Sequence, residues 1–338
     1  MVVVYDDLYL EHLRRVDFPE APERVAAVAR RLTEQNLFGG RVEARDATDD
    51  ELTAVHPAAY LDSVERDVER AAAAGAGFLS TGDTLIDASS LAVARRAAGG
   101  VLVAVERAIS GNTATFALVR PPGHHAEPAR GMGFCLFNNV AVAARLHARR
   151  TGKRVLIVDF DYHHGNGTQA ESGDGVSFVS THAYPQYPGT GAASDNVMRA
   201  DGAVVNVPLP PDRYATEAFV ATWQALLPAL ARNTKPDLIV VSAGYDFAAG
   251  DPVGDLGVDG PLAARALAAL IREVAGELCG GRVAYALEGG YDIDTLAACV
   301  SETVRLHDAP PSSLDRADEA AIGPAQRSVV ESVRAWAT

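Results

Sequence analysis

Cysteine is scarce: Cys135, Cys279 and Cys299 are the three in 338 residues. They are too few and too widely spaced for a disulfide framework or a Cys-based zinc cluster. A reducing compartment suits such usage, and a cytoplasmic location is the expectation. Basic residues are also in deficit, 30 Lys and Arg against 44 Asp and Glu for a net charge of −14, and they form no block. A surface of that sign repels a nucleic-acid backbone or an anionic membrane, so neither is expected as a partner. It would attract a cationic substrate, although solubility alone also accounts for it. No apolar run approaches the roughly 20 residues of a membrane-spanning helix. The opening MVVVYDD lacks the basic start and long apolar stretch of a signal peptide. No internal repeat, low-complexity tract or linker breaks the chain, so a single domain over 1–338 is expected.

What is present is a globular balance, 48% apolar and 22% charged, arranged as short β-branched runs alternating with helical patterns. Strands are expected at 2–5, 113–119, 155–158, 176–181, 204–207, 237–243 and 283–287. Helical spacing runs through 18–32, 88–109, 139–149, 214–232, 261–278 and 293–308. Asp49 or Asp50 can cap one further short helix, and Pro57 opens another. A tail beginning at Pro310 is polar and then helical over 328–336. Segments 75–84 and 182–191 read as loops, and the Gly99-Gly100 pair as a close-packing device. Strands alternating with helices imply a mostly parallel sheet covered on both faces.

The most informative stretch is 154–169, RVLIVDFDYHHGNGTQ. Its apolar run reads as a central strand, and continued extension puts Asp159, Asp161 and His163 on one face. Asp-x-Asp at a strand end can also be a turn or cap. Two carboxylates and an imidazole together, however, are costly to bury without a cation or a chain of hydrogen bonds, and ligands bind at the C-terminal ends of such strands. Three more strand-end loops carry reactive residues: 120–138, with His124 and His125 after Pro121, Pro122 and Gly123; 244–255; and 288–292. Asp161 and His163 with an aspartate from 244–255 would make a donor set of the catalytic-zinc type. Spacing does not choose among Asp246, Asp251 and Asp255. His56 reads as a structural cap or core partner.

The blocks LVRPPGHHA, GFCLFNN, VDFDYHHGNGTQ, PQYPGTG, SAGYDFAAGDP and LEGGYD, in this order, resemble the signatures of the histone deacetylase and acetylpolyamine amidohydrolase superfamily. FPEAPERV and Asn166 point to its class II-like, bacterial-type branch. The resemblance implies an arginase-like three-layer α/β/α fold with a central, mostly parallel eight-stranded sheet. It implies Asp161, His163 and Asp246 as ligands of one zinc ion, and His124 and His125 as the paired catalytic histidines. Asp159 would orient the first histidine, Asn166 would partner the second, and Tyr291 would donate to the acyl carbonyl oxygen. A structural potassium ion is implied beside Asp159, with Asp161, His163, Ser180 and Thr181. Phe134 and Tyr187, with Gly133 beside them, would wall an acyl-lysine tunnel, and Asp83 or Thr84 would hold the substrate backbone at its mouth.

The implied activity is zinc-dependent removal of acetyl or another short acyl group from lysine-like amines, with acetylated polyamines as the second substrate class. A homo-oligomer is compatible with the resemblance. The chain departs from the pattern at Phe18, where many relatives have histidine, and at Val253, where a polyamine-selective relative has glutamate. Asp83, Asp251 and Asp255 remain as rim carboxylates, and the glycine-poor loop 192–203 is expected to differ locally. A catalytically silent acyl-lysine binding module and a two-manganese ureohydrolase are the alternatives from other classes.

Overall fold

Apolar runs bounded by charge or glycine become the strands of a computed structural model that describes residues 1–199, 201–211, 213–309 and 316–336. The polar opening of the tail, 310–315, lies outside the described residues. In chain order the strands are β1 (Val2–Val4), β2 (Arg41–Val42), β3 (Gly77–Phe78), β4 (Leu85–Ile86), β5 (Ala114–Ala117), β6 (Val155–Asp159), β7 (Val176–Ala183), β8 (Val204–Leu209), β9 (Leu238–Ala243) and β10 (Val283–Leu287). The helices are α1 (Glu23–Glu34), α2 (Asp49–Leu52), α3 (Ala58–Ala74), α4 (Ser90–Gly111), α5 (Asn139–Thr151), α6 (Asn166–Ala170), α7 (Thr216–Thr234), α8 (Gly260–Leu278), α9 (Ile293–Asp308) and α10 (Pro324–Ala335).

Eight strands form one sheet in the order β2-β1-β5-β10-β9-β6-β7-β8, and every neighbouring pair is parallel. Parallel neighbours require crossover connections, and these put helices on both faces. On one side α4 packs on α5, β5 and β10; on the other, α1, α9, α8, α7 and α10 pack in succession. The result is the expected arginase-like α/β/α arrangement. β6 and β9 are buried along their whole length, which is why their sequences read as continuous apolar runs rather than alternating ones.

Sheet order explains the site. The loops 120–138, 159–169, 244–255 and 288–292 are far apart in sequence, yet they follow β5, β6, β9 and β10, four consecutive strands at the sheet's centre. Register finishes the alignment, because Asp159 on β6 is level with Ser180 on β7 and Ser242 on β9.

Local chemistry fixes the supporting elements. Asn138 caps α5 by accepting from Ala141 N at 3.0 Å, so the histidine loop ends abruptly in a helix. α4 approaches closely at its glycine pair: a Cβ on Gly99 would collide with the Arg45 carbonyl. The cap of α2 differs from expectation, since it is Thr48 that forms a capping box with Glu51, not Asp49 or Asp50. His56 is a buried tie, its Nδ1 3.0 Å from the Pro128 carbonyl and its Nε2 accepting from Asn138 N at 2.9 Å. The loop expected at 75–84 contains β3, which pairs antiparallel with β4 as a small hairpin. Strand β2 lies outside the segments with strand periodicity, since its two residues are too few to carry any.

Candidate active site

Asp161, His163 and Asp246 each direct one ligand atom to a common point, all three atoms lying within 4.8 Å of one another. His163 Nδ1 is 3.2 Å from Asp161 Oδ1 and 3.0 Å from Asp246 Oδ2. The other oxygens are fixed by backbone: Asp161 Oδ2 accepts from Gly289 N at 2.8 Å and Asp246 Oδ1 from Tyr162 N at 2.9 Å. Glycine is required around them, because a Cβ on Gly244 would collide with the Asp161 carboxylate and one on Gly289 would crowd both aspartates.

Burial alone would lower the His163 pKa, but the Asp161 and Asp246 carboxylates outweigh it and raise it to about 9. Burial, reinforced by Asp161, pushes Asp246 up to about 7. The cluster thus draws a proton to the place where a cation would sit. Two carboxylates and one imidazole, buried and aimed at one point, fit a divalent ion of the zinc class. Asp251 and Asp255, the alternatives that spacing left open, do not join them. Asp251 Oδ1 accepts from Val253 N and Gly254 N. Asp255 is exposed and accepts from Gly257 N.

The tandem histidines differ sharply. His124 Nδ1 lies 3.1 Å from Asp159 Oδ2. Burial works against its charge, but Asp161 and Asp159 prevail and raise its pKa to about 10. His125, 4.1 Å away ring to ring, is driven well below the ordinary imidazole value by burial and then by His124 and His163. Its Nδ1 is 2.8 Å from Asn166 Oδ1. Asn166 Nδ2 donates to Glu127 Oε1 at 2.9 Å, which turns Oδ1 towards His125. Nδ1 of His125 is therefore the protonated nitrogen, and Nε2 keeps its lone pair.

A pocket of about 410 Å³ opens over these groups. Of the expected wall and mouth residues, Gly133, Phe134, Tyr187, Val253 and Asp83 line it, together with Phe18, Phe78 and Tyr291. Thr84 does not: it is buried and donates from Oγ1 to the Cys135 carbonyl. That separates the pair Asp83 and Thr84 left open by sequence. Phe18 meets Phe134 edge to face at 5.0 Å, and Phe134 meets Tyr291 at 5.8 Å. Burial pushes the Tyr291 phenol well above its ordinary pKa, with Arg24 opposing. The Arg24 guanidinium sits 4.7 Å from the centre of the Tyr291 ring.

Of the residues assigned to potassium, Asp159 accepts from Asp161 N at 3.1 Å, and Ser180 Oγ is 2.9 Å from His182 Nδ1. The Thr181 hydroxyl accepts from the Trp223 indole at 3.1 Å, so its side chain faces away from Asp159.

Several supporting residues escaped sequence reasoning. Glu288 accepts from Gly123 N at 2.6 Å and His124 N at 3.1 Å, and from Ser242 Oγ at 3.2 Å, so it fixes the histidine loop by its backbone. Burial raises its pKa to about 7. Its available signal was an acid ending a wholly apolar strand and followed by two glycines. Glu20 is buried between Arg120, at 2.7 Å, and Arg24, at 2.9 Å. Burial would raise its pKa, but the two guanidiniums lower it. Arg24 in turn donates to the Gly290 carbonyl at 2.6 Å, beside Tyr291.

Hydrolysis of an unactivated amide needs charge stabilisation, a base for water and a proton for the departing amine. Groups of those kinds face one pocket here, an amidohydrolase-type arrangement. Comparison with known proteins agrees with it. Residues 18–307 match the model of the histone deacetylase domain. Histone deacetylase 10, chloroplastic, of Oryza sativa subsp. japonica is 39% identical over 328 residues, covering 90% of this chain and 72% of the relative. A probable deacetylase of Archaeoglobus fulgidus is 33% identical over 303 residues, covering 86% and 81%. The crystal structure of the HDA15 HD domain superposes with a TM-score of 0.85 at 32% identity, covering 99% of this chain and 96% of that one.

Proposed function

The chain belongs to the histone deacetylase domain family, and from that premise we propose that it is a zinc-dependent amidohydrolase removing acetyl or another short acyl group from lysine-like amines. The observation that carries the proposal is that His163, one of three convergent ligand residues, opens onto the same pocket as His125 and Tyr291. When bound by Asp161, His163 and Asp246, the zinc ion would supply Lewis acidity for water and for the acyl carbonyl.

The chain's own residues would do the rest. His125 Nε2 takes the proton of the attacking water as the new C–O bond forms, and returns it to the nitrogen as the C–N bond breaks. Asn166 keeps the base in the required tautomer. His124, charged beside Asp159, stabilises negative charge near the reacting centre. The Tyr291 phenol donates to the developing oxyanion. A potassium ion beside Asp159, with Asp161, His163, Ser180 and Thr181, would offset the buried carboxylates; Thr181 would have its main-chain carbonyl to offer.

Acyl-lysine is favoured over acetylpolyamine as substrate. Val253 lines the pocket without charge. Asp251 is consumed by four backbone amides, and Asp255 is not among the lining residues. Of the three candidate rim carboxylates, Asp83 is the one that lines the pocket. FPEAPERV and Asn166 support the class II-like, bacterial-type branch, with one catalytic domain across 1–338. Three buried free thiols, Cys135, Cys279 and Cys299, support a reducing, cytoplasmic setting.

The test is kcat/KM for acetyl-lysine peptides, free acetyl-lysine, N-acetylputrescine and N8-acetylspermidine, before and after chelation. Chelator-sensitive turnover with peptides ahead is expected. A preference of about 100-fold for a polyamine, worth ~2.7 kcal/mol, would reverse the substrate order. No turnover at all would leave a silent acyl-lysine binding module.

A further inference from the structure

The hairpin of β3 and β4 carries a carboxylate across the pocket mouth. Asp83 Oδ1 accepts from Gly133 N at 2.9 Å, and Oδ2 accepts from the Tyr187 hydroxyl at 3.0 Å. Gly133 and Tyr187 belong to loops more than fifty residues apart in sequence, and both press on the same imidazole. Gly133 lies so flat against His125 that a Cβ there would collide with the ring. Tyr187 meets His125 edge to face at 5.2 Å and His163 at 6.2 Å.

The carboxylate is itself firmly mounted. Its neighbour Thr84 is buried and bonded to the Cys135 carbonyl. Leu79 N donates to the Thr84 carbonyl at 3.0 Å, and Asp67 on α3 accepts from Ser80 N at 2.7 Å. Gly82 packs so closely on the 131–135 loop that a Cβ would strike the Gly131 carbonyl. The loop held in this way needs holding, since Gly133 and Phe134 have φ of +57° and +69°. The left-handed region is unfavourable for a residue such as phenylalanine. Tyr187 is 38% exposed, so its ring is not fixed by burial alone.

We propose that Asp83 is a positioning residue: its carboxylate ties Gly133 to Tyr187 and so sets the tunnel's width and the seating of both walls against His125. The proposal rests on the deacetylase assignment for its kinetic consequences, but not for its structural ones. It differs from the two roles a rim carboxylate would otherwise take, pairing with a distal ammonium or accepting from a substrate backbone amide. In a strut both hydrogen bonds matter and the charge does not. Asparagine can keep both, its oxygen accepting from Gly133 N and its amide donating to the Tyr187 oxygen.

The experiment compares D83A, D83N, Y187F and the D83A/Y187F double variant in two measurements. In hydrogen exchange, amides of the 131–135 segment exchange faster in D83A than in wild type, with D83N close to wild type; equal exchange in D83A and wild type overturns the proposal. In turnover, D83A loses about tenfold in kcat on both an acetyl-lysine peptide and N-acetylputrescine, as misplacing a base requires. D83N recovers most of that loss on both substrates, and the double variant is no worse than D83A, because the two residues act through one link. Equal losses in D83A and D83N confined to N-acetylputrescine would mean charge pairing. A loss confined to KM for the peptide would mean backbone recognition. Either result overturns the strut. Should D83A not fold, Y187F must raise exchange in the 131–135 segment, and an unchanged rate there sinks the proposal. Wild type that turns over neither substrate, with the exchange pattern as expected, fails the deacetylase assignment and leaves the strut standing.

Discussion

Asp251 holds Tyr291 by its backbone: Oδ2 accepts from Tyr291 N at 2.6 Å and from Asp292 N at 3.0 Å. The same carboxylate accepts from Val253 N and Gly254 N through Oδ1. It therefore joins the loop after β9, which carries Asp246, to the loop after β10, which carries the phenol. One shared side chain thus positions Asp246 and Tyr291, the proposed metal ligand and the proposed oxyanion donor, through bonds to main-chain amides.

Asp251→Ala should accordingly lower kcat by about tenfold or more while zinc is retained, as loss of positioning does. Steady-state kinetics beside metal analysis of the same preparation checks it. Loss of zinc in step with activity would show that Asp251 supports the ligand Asp246 rather than the phenol.

Tyr291→Phe should keep the fold and the zinc and cut kcat by about 10²-fold, since one oxyanion donor is worth roughly 3 kcal/mol. The expected change is in kcat and kcat/KM together. A rise confined to KM would place the hydroxyl in ground-state binding instead.

Asp246→Ala removes one of three donors and leaves Asp161 beside His163. Zinc content per chain should fall from about one to near zero after dialysis, and turnover with it. Full occupancy measured by elemental analysis would remove Asp246 from the ligand set.

Much of this site could be read from the chain because its chemistry is concentrated at strand ends. Asp159, Asp161, His163, His124 and His125 follow apolar runs that can only be interior strands, and Asp246 and Tyr291 follow two more. What the sequence concealed were relations created by sheet order. Nothing local to Glu288 tells that it will accept from Gly123 and His124, 165 and 164 residues away. Asp251 looked like a rim charge because it is acidic and close to Asp246; the turn that folds it back under Tyr291 has no period to detect. Asp83 and Thr84 are adjacent, and side-chain alternation gives them opposite environments, but which one faces the pocket depends on the hairpin's anchoring by Asp67 and Cys135.

The buried ion pairs around Glu20 give a prediction of stability. Its carboxylate serves Arg120 and Arg24 at once with no access to water. Glu20→Ala strands two guanidiniums in the interior, which should cost about 3–5 kcal/mol. Urea unfolding checks it. A change below about 1 kcal/mol would mean that the arginines find replacement acceptors, such as the carbonyls they already share.

The pH dependence of stability can be argued from His56. It is buried between Tyr60 and Phe137, and burial pushes its pKa down from 6.5 to about 4. The Pro128 carbonyl, which accepts from Nδ1, opposes that shift, but Nε2 must accept from Asn138 N, and a second ring proton would face the Asn138 N–H. The folded state thus binds this proton less readily than the unfolded chain does between pH 6.5 and 4. The contribution is fully present above pH 6.5, declines as pH falls through that window, and levels off below about 4. A displacement of that size corresponds to roughly 3 kcal/mol. His12, also pushed by burial to about 4, adds a loss of the same sign, whereas Asp246 and Glu288, pushed up to about 7, gain stability over the same window, so the His56 contribution is read from the difference between wild type and variant. His56→Gln, which keeps a donor and an acceptor but takes up no proton, should be less stable than wild type at pH 7.5 and lose less on going to pH 4.5. Urea unfolding at half-unit pH steps measures both slopes, and parallel curves for the two proteins would show that His56 is not titrating in this window.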